Sequence, residues 1–133
     1  FATYIGEGYQ VLDDLREWDE AGEADDHTGR EAIAHRPTIL RAFATEAGAG
    51  EELASIIQHA RKEQDEAVAV AEVRALYETV GAFHRAETLY DRLRQRATGV
   101  IADIDDEAIE SLLLFVVRIV LPDRRGIQRA AGQ

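Results

Sequence analysis

Residues 8–22 read GYQVLDDLREWDEAG. Through residues 1–20 the apolar positions recur every three or four residues. Ile5, Tyr9 and Leu12 form one line, and Val11, Leu15 and Trp18 form another. That spacing predicts an amphipathic helix. On it Asp13 and Glu17 lie one turn apart on one face, Asp14 flanks them, and Gln10 lies one turn before. The apolar lines occupy the rest of the circumference, so three carboxylates and an amide share a strip on a helix buried on several sides. Like charges in a partly buried place are costly unless they are protonated or compensated. A hard divalent cation removes that cost. Mg²⁺ prefers oxygen ligands, keeps several waters and shares carboxylates with substrate phosphates. The competing reading is a solvated acidic face, because the chain holds 26 acids among 133 residues.

The rest of the chain also reads as helix. Proline occurs only at Pro37 and Pro122, and no stretch alternates apolar and polar with a period of two. Residues 21–30 are polar, contain two glycines and read as a loop. Further helices are expected over about 31–47, 51–62, 65–80, 82–102 and 106–121. Ile33, Ile39, Leu40 and Phe43 point inward on the first of these, and Pro37 sits near its true start or bends it. Val68, Val70, Val73, Leu76, Tyr77 and Val80 line the 65–80 helix. The 82–102 helix carries one apolar stripe, and Asp105 is expected to cap the last helix. Within that last helix, residues 112–117 form the longest apolar run and read as a buried face. Ala-Gly-Ala-Gly at 47–50 and Gly81 mark turns. There is no internal repeat.

The length suits one all-α domain. Without cysteine, disulfides and thiolate metal sites are excluded. No apolar run approaches the ~20 residues that span a bilayer, and no basic-then-apolar opening marks a signal peptide. The net charge of −11 repels nucleic acid and anionic membranes. Of the fifteen basic residues only Lys62 is lysine. This balance suits a halophilic cytoplasm, where screening shortens to ~3 Å at 1 M salt. The alternative is an arginine-preferring acidic protein of ordinary surroundings. The chain opens at Phe1 in mid-pattern and contains no methionine, which reads as a fragment or a processed chain.

The residues around the carboxylates narrow the choice. The string Gly8, Tyr9-Gln10-Val11-Leu12-Asp13-Asp14-Leu15-Arg16-Glu17 resembles the second aspartate-rich motif of the trans-isoprenyl diphosphate synthases, the polyprenyl synthetase family. That motif runs Gly, then Phe-Gln-x-x-Asp-Asp-x-x-Asp. The family follows it with a loop of the form Gly-Lys-x-Gly-x-Asp and a Lys-x-Thr. Here the corresponding residues are Asp26-His27-Thr28-Gly29-Arg30-Glu31 and Arg36-Pro37-Thr38, at spacings that fit without a gap. Gly81 opening a long helix and Phe115-Val116-Val117-Arg118 in the last one extend the likeness over nearly the whole chain, although the specific motifs fall in the first forty residues. Glu17 departs from the third Asp, His27 from a diphosphate-binding lysine, and Arg36 from a lysine whose charge it keeps.

The resemblance implies the C-terminal part of an isoprenoid-synthase helical bundle. It implies a prenyltransferase that joins an allylic diphosphate to isopentenyl diphosphate with Mg²⁺. Asp13 is then the main metal ligand, Asp14 and Glu17 hold the metal's waters, and Gln10 orients the substrate side. This makes Gln10, Asp13 and Asp14 the implied catalytic residues. His27, Arg36 and Thr38 contact the diphosphate. The family usually pairs as homodimers, and the 82–102 stripe is either core or a dimer face. The first aspartate-rich motif of the family is absent from these 133 residues, since Asp25-Asp26 falls in a loop and Asp105-Asp106 at a helix start. The expectation is a chain that lacks the N-terminal half of a synthase and is inactive alone. The alternative is a non-catalytic all-α subunit derived from such an enzyme. Tyr9-Gln10 and Arg36-x-Thr38 argue against other ionisation-type terpenoid enzymes. His35, His59 and His84 are not paired with one another at helical spacing and read as surface or packing residues.

Overall fold

The computed structural model describes residues 1–20 and 37–125. Among them are six α-helices and no strand: α1 (Ala2–Glu20), α2 (Ile39–Glu46), α3 (Gly50–Glu63), α4 (Glu66–Thr79), α5 (Ala82–Ile101) and α6 (Glu107–Val120). The all-α reading holds. The expected loop at 21–30 and the 31–36 part of the second helix lie outside the described residues.

Local chemistry sets the helix ends. Pro37 precedes α2, Thr38 is its N-cap, and the Thr38 hydroxyl accepts from the Arg41 N–H. Asp65 caps α4 by accepting from the Val68 N–H. Gly48 and Gly81, at φ of +86° and +73°, take the left-handed turns after α2 and between α4 and α5 that a side chain would strain. The cap of α6 is Asp106 rather than Asp105. Asp106 has the extended φ of −111° and ψ of 109° that a cap needs, and its carboxylate accepts from the Ala108 and Ile109 N–H groups.

The described residues form two compact units, and the division falls within α1 and within α5. One unit comprises Phe1–Leu12 and the residues from Leu89 on. Its core gathers Ala97, Ile101 and Val117 with Phe1, Tyr4, Ile5, Leu113 and Leu114 around them. Gly8 is buried here against the chain that leaves α6: a Cβ at this position would meet Leu121 Cδ1 at 2.9 Å. The buried Tyr90 donates its hydroxyl to the Pro122 carbonyl at 2.7 Å, and Arg94 Nε donates to the Leu121 carbonyl at 2.9 Å. The Arg94 bond satisfies a carbonyl that the end of α6 leaves without a helical partner, and the Tyr90 bond holds the residue that follows.

The other unit lies within Asp13–Thr88. Leu40, Ala44, Leu53, Ile57, Ala60, Ala69, Val73 and Leu76 supply its buried apolar positions. Trp18, Tyr77 and Phe83 pack edge to face, with centroids 5.3 to 5.9 Å apart. Arg74 lies over the Trp18 ring and donates to the Trp18 carbonyl. Helix α1 has no basic residue in its last turn, so Arg74 supplies the positive charge that the carbonyl end attracts. Arg85 pairs with Glu46 at 2.7 Å and stacks over Phe43.

Three expectations of burial are corrected. The apolar run 112–117 is not a buried face. Its Leu112 and Phe115 are 60% and 57% exposed, and only Val117 is buried. The α6 run is apolar on nearly all sides of the helix, whereas the core takes only the side bearing Leu113, Leu114 and Val117. Val68 is exposed because it sits in the first turn of α4, before Ala69 and Val73 turn inward. Tyr9 is also largely exposed, off the arc that carries Val11, Leu12 and Leu15. The α5 stripe is core: Ala86, Tyr90, Leu93, Ala97 and Ile101 are buried.

Candidate functional site

Helix α1 buries Val11, Leu12, Leu15 and Trp18, each at most 5% exposed. At 100° per residue these four occupy a continuous arc, and Gln10, Asp13, Asp14 and Glu17 fall on the opposite one. The polar strip predicted from the sequence is therefore present. Gln10 is exposed, and the three carboxylates are half-buried. Half-burial leaves water on the strip and keeps the cost of three like charges well below that of full burial.

The carboxylates differ in what they touch. Asp14 Oδ2 accepts the Ile39 N–H at 2.8 Å, across 25 residues of chain. Ile39 opens α2, where the first N–H groups have no helical partner and the dipole favours negative charge. Asp14 thus supplies from α1 what Thr38 supplies locally. Two predicted site residues, Asp14 and Thr38, meet at the start of α2. Asp13, by contrast, has no hydrogen-bond or ion-pair partner among the described residues. Glu17 lies one turn on from it and is itself engaged in interactions.

Tyr77 completes this corner. Its phenol is pushed above the usual tyrosine value, chiefly by burial. A side-chain hydrogen bond with Thr38 and the positive charge of Arg41 oppose the shift, and the negative charge of Asp14 adds to it. Sequence reasoning placed Tyr77 in the apolar lining and passed over its hydroxyl. Arg74 was missed entirely, since nothing near position 74 signals a carbonyl 56 residues earlier in the chain.

Asp13 and Glu17 offer hard oxygen donors one turn apart, a set that suits Mg²⁺ with several retained waters. Among the described residues, no three His, Asp or Glu side chains converge into a cation site. His27 and Arg36, predicted to contact diphosphate, lie outside the described residues. No helix of the described residues is long and apolar enough to cross a membrane. No protein-family model, curated protein or solved structure matches this chain.

Proposed function

We propose that the chain carries the second aspartate-rich half-site of a trans-prenyl diphosphate synthase, which joins an allylic diphosphate to isopentenyl diphosphate. One observation supports the reading above others. The Tyr9-Gln10-x-x-Asp13-Asp14-x-x-Glu17 pattern lies on one helix opposite its buried arc, and Asp13 is left without a described partner. In this reading Asp13 and Glu17 hold Mg²⁺, and Gln10 orients the substrate from the exposed end of the strip. A cation held there would supply the positive charge that a departing diphosphate needs. Asp14 acts as a positioning residue. By holding the start of α2 it fixes Thr38, the last residue of the Arg36-Pro37-Thr38 stretch assigned to diphosphate.

Titration calorimetry with Mg²⁺ and inorganic diphosphate tests the reading. The wild-type chain should bind, and Asp13→Ala should weaken binding at least about tenfold, or about 1.4 kcal/mol. Equal heats from the two proteins would retire the metal site. The purified chain should form no prenyl product from Mg²⁺ and both substrates, because its 133 residues hold a single D-D-x-x-D/E pattern. A second reading, a non-catalytic all-α module derived from such an enzyme, draws on the same corner: Asp14 is committed to the α2 backbone, and no three donors converge among the described residues. Absence of binding heat from the wild-type chain would select it.

A further inference from the structure

Helix α6 is the most apolar helix described, yet one of its faces has no cover among the described residues. Ile109, Leu112, Phe115 and Ile119 are between 47% and 64% exposed. The opposite side of the helix is already used, with Leu113, Leu114 and Val117 packed against α1 and α5 residues. Large apolar side chains that cluster in this way on a folded surface mark an interaction face.

The spacing of the face specifies its partner. Ala108, Leu112, Phe115 and Ile119 follow one another at intervals of four, three and four, the seam of a two-helix coiled coil. Ile109 and Val116, seven residues apart, widen the seam on one flank. The other flank carries Glu107 at the start of the helix and Arg118 near its end, both exposed. They are eleven residues apart, which returns a helix to nearly the same direction. In a pair related by a two-fold axis perpendicular to the helices, like flanks face each other with the helix direction reversed. Glu107 of one copy then meets Arg118 of the other, twice. A parallel pair would set this flank against the apolar Ile109 and Val116 flank of the other copy and leave both charges without a partner.

We propose that α6 is a self-association surface, through which a second copy of this chain docks antiparallel. The apolar seam supplies the attraction, and the Glu107 and Arg118 pairs select the orientation. The proposal is independent of the metal-site reading, because none of these residues belongs to the α1 strip.

Sedimentation of the wild-type chain over a range of concentrations should show a monomer–dimer equilibrium. Leu112→Asp and Ile119→Asp place a charge in the seam of each copy. Each should raise the dissociation constant at least about a hundredfold while far-UV circular dichroism stays unchanged. Both positions are exposed in the monomer, so the variants should fold. Orientation is read with Glu107→Cys and Arg118→Cys, which introduce single cysteines into a cysteine-free chain. Mixed and oxidised, the two variants should form the 107-to-118 disulfide in excess over either symmetric product. A wild-type chain that stays monomeric at every concentration would overturn the proposal. So would a dimer indifferent to both seam substitutions, or a preference for the symmetric disulfides.

Discussion

Helices α1 and α6 invert each other's expectations. α1 carries three carboxylates in five positions, and still buries Val11, Leu12, Leu15 and Trp18 almost completely. α6 holds the longest apolar run of the chain, and leaves Ile109, Leu112, Phe115 and Ile119 in water. Burial depends on what a helix has to pack against, not on how much it would gain from packing. The free energy available from covering Phe115 or Leu112 is of the order of 2 kcal/mol each, and folding of the monomer does not collect it. Each helix therefore keeps one strip outside the apolar core. On α1 the strip is acidic and suits a cation. On α6 it is apolar and suits another helix.

The largest expected effect contrasts the two helices directly. Trp18 is 3% exposed and makes edge-to-face contacts with Tyr77 and Phe83. Trp18→Ala should cost about 3–5 kcal/mol in a urea titration, from lost burial and the cavity left behind. Phe115→Ala should stay within about 0.5 kcal/mol in dilute protein, since Phe115 is 57% exposed. A comparable loss at both positions would show that the α6 face is covered in the monomer and would dissolve the contrast.

Two glycines sharpen the comparison within α1. Gly8 faces the fully buried Leu121, whose side-chain end would meet an added Cβ at 2.9 Å and would have to shift within packed surroundings. Gly8→Val should destabilise by about 2 kcal/mol through overpacking. Gly6 has nothing within 4 Å of the same added atom. Gly6→Ala should stabilise by up to about 1 kcal/mol, the cost of glycine in a helix interior. In the sequence Gly8 stands as the glycine that precedes the string resembling an aspartate-rich motif. Its close approach to the end of α6 gives it a packing role that such a motif alone does not convey.

The sequence disclosed local features well and distant ones poorly. Apolar spacing, Pro37 near the start of α2 and Gly81 between α4 and α5 are local signals, and each element they imply is present. The shift of the α6 cap from Asp105 to Asp106 is a matter of backbone angles, which two adjacent aspartates cannot reveal. The polar strip of α1 was legible because 3.6-residue periodicity determines which residues share a face. What each carboxylate does was not. Asp14 finds Ile39 across 25 residues, and Arg74 finds Trp18 across 56. The exposure of α6 was illegible for a different reason. A run that is apolar on most of its sides gives no indication of which side the core will cover.

The strip of α1 can be separated residue by residue. Asp14→Ala removes an acceptor from a half-buried N–H at the start of α2 and should cost about 1–2 kcal/mol, as the loss of an N-terminal cap does. Asp13→Ala removes a carboxylate with no described partner and should change stability by less than about 0.5 kcal/mol, while weakening binding of Mg²⁺ with diphosphate. Equal losses at the two positions would mean that the strip acts as one structural unit.

The smallest expected effect is found at alkaline pH. Burial raises the Tyr77 phenol above its value in the unfolded chain, near 10. The folded state therefore holds this proton more tightly than the unfolded state does. Its contribution to stability is complete below pH ~10 and is lost as pH climbs from there through the raised folded value. Tyr77→Phe removes the ionisable group, so its stability should fall less steeply than that of the wild type above pH ~10. The negative charge of Asp14 adds to the shift, so in Asp14→Ala the loss should finish at a lower pH. Parallel alkaline profiles for wild type and Tyr77→Phe would separate the buried phenol from the corner where α1 and α2 meet.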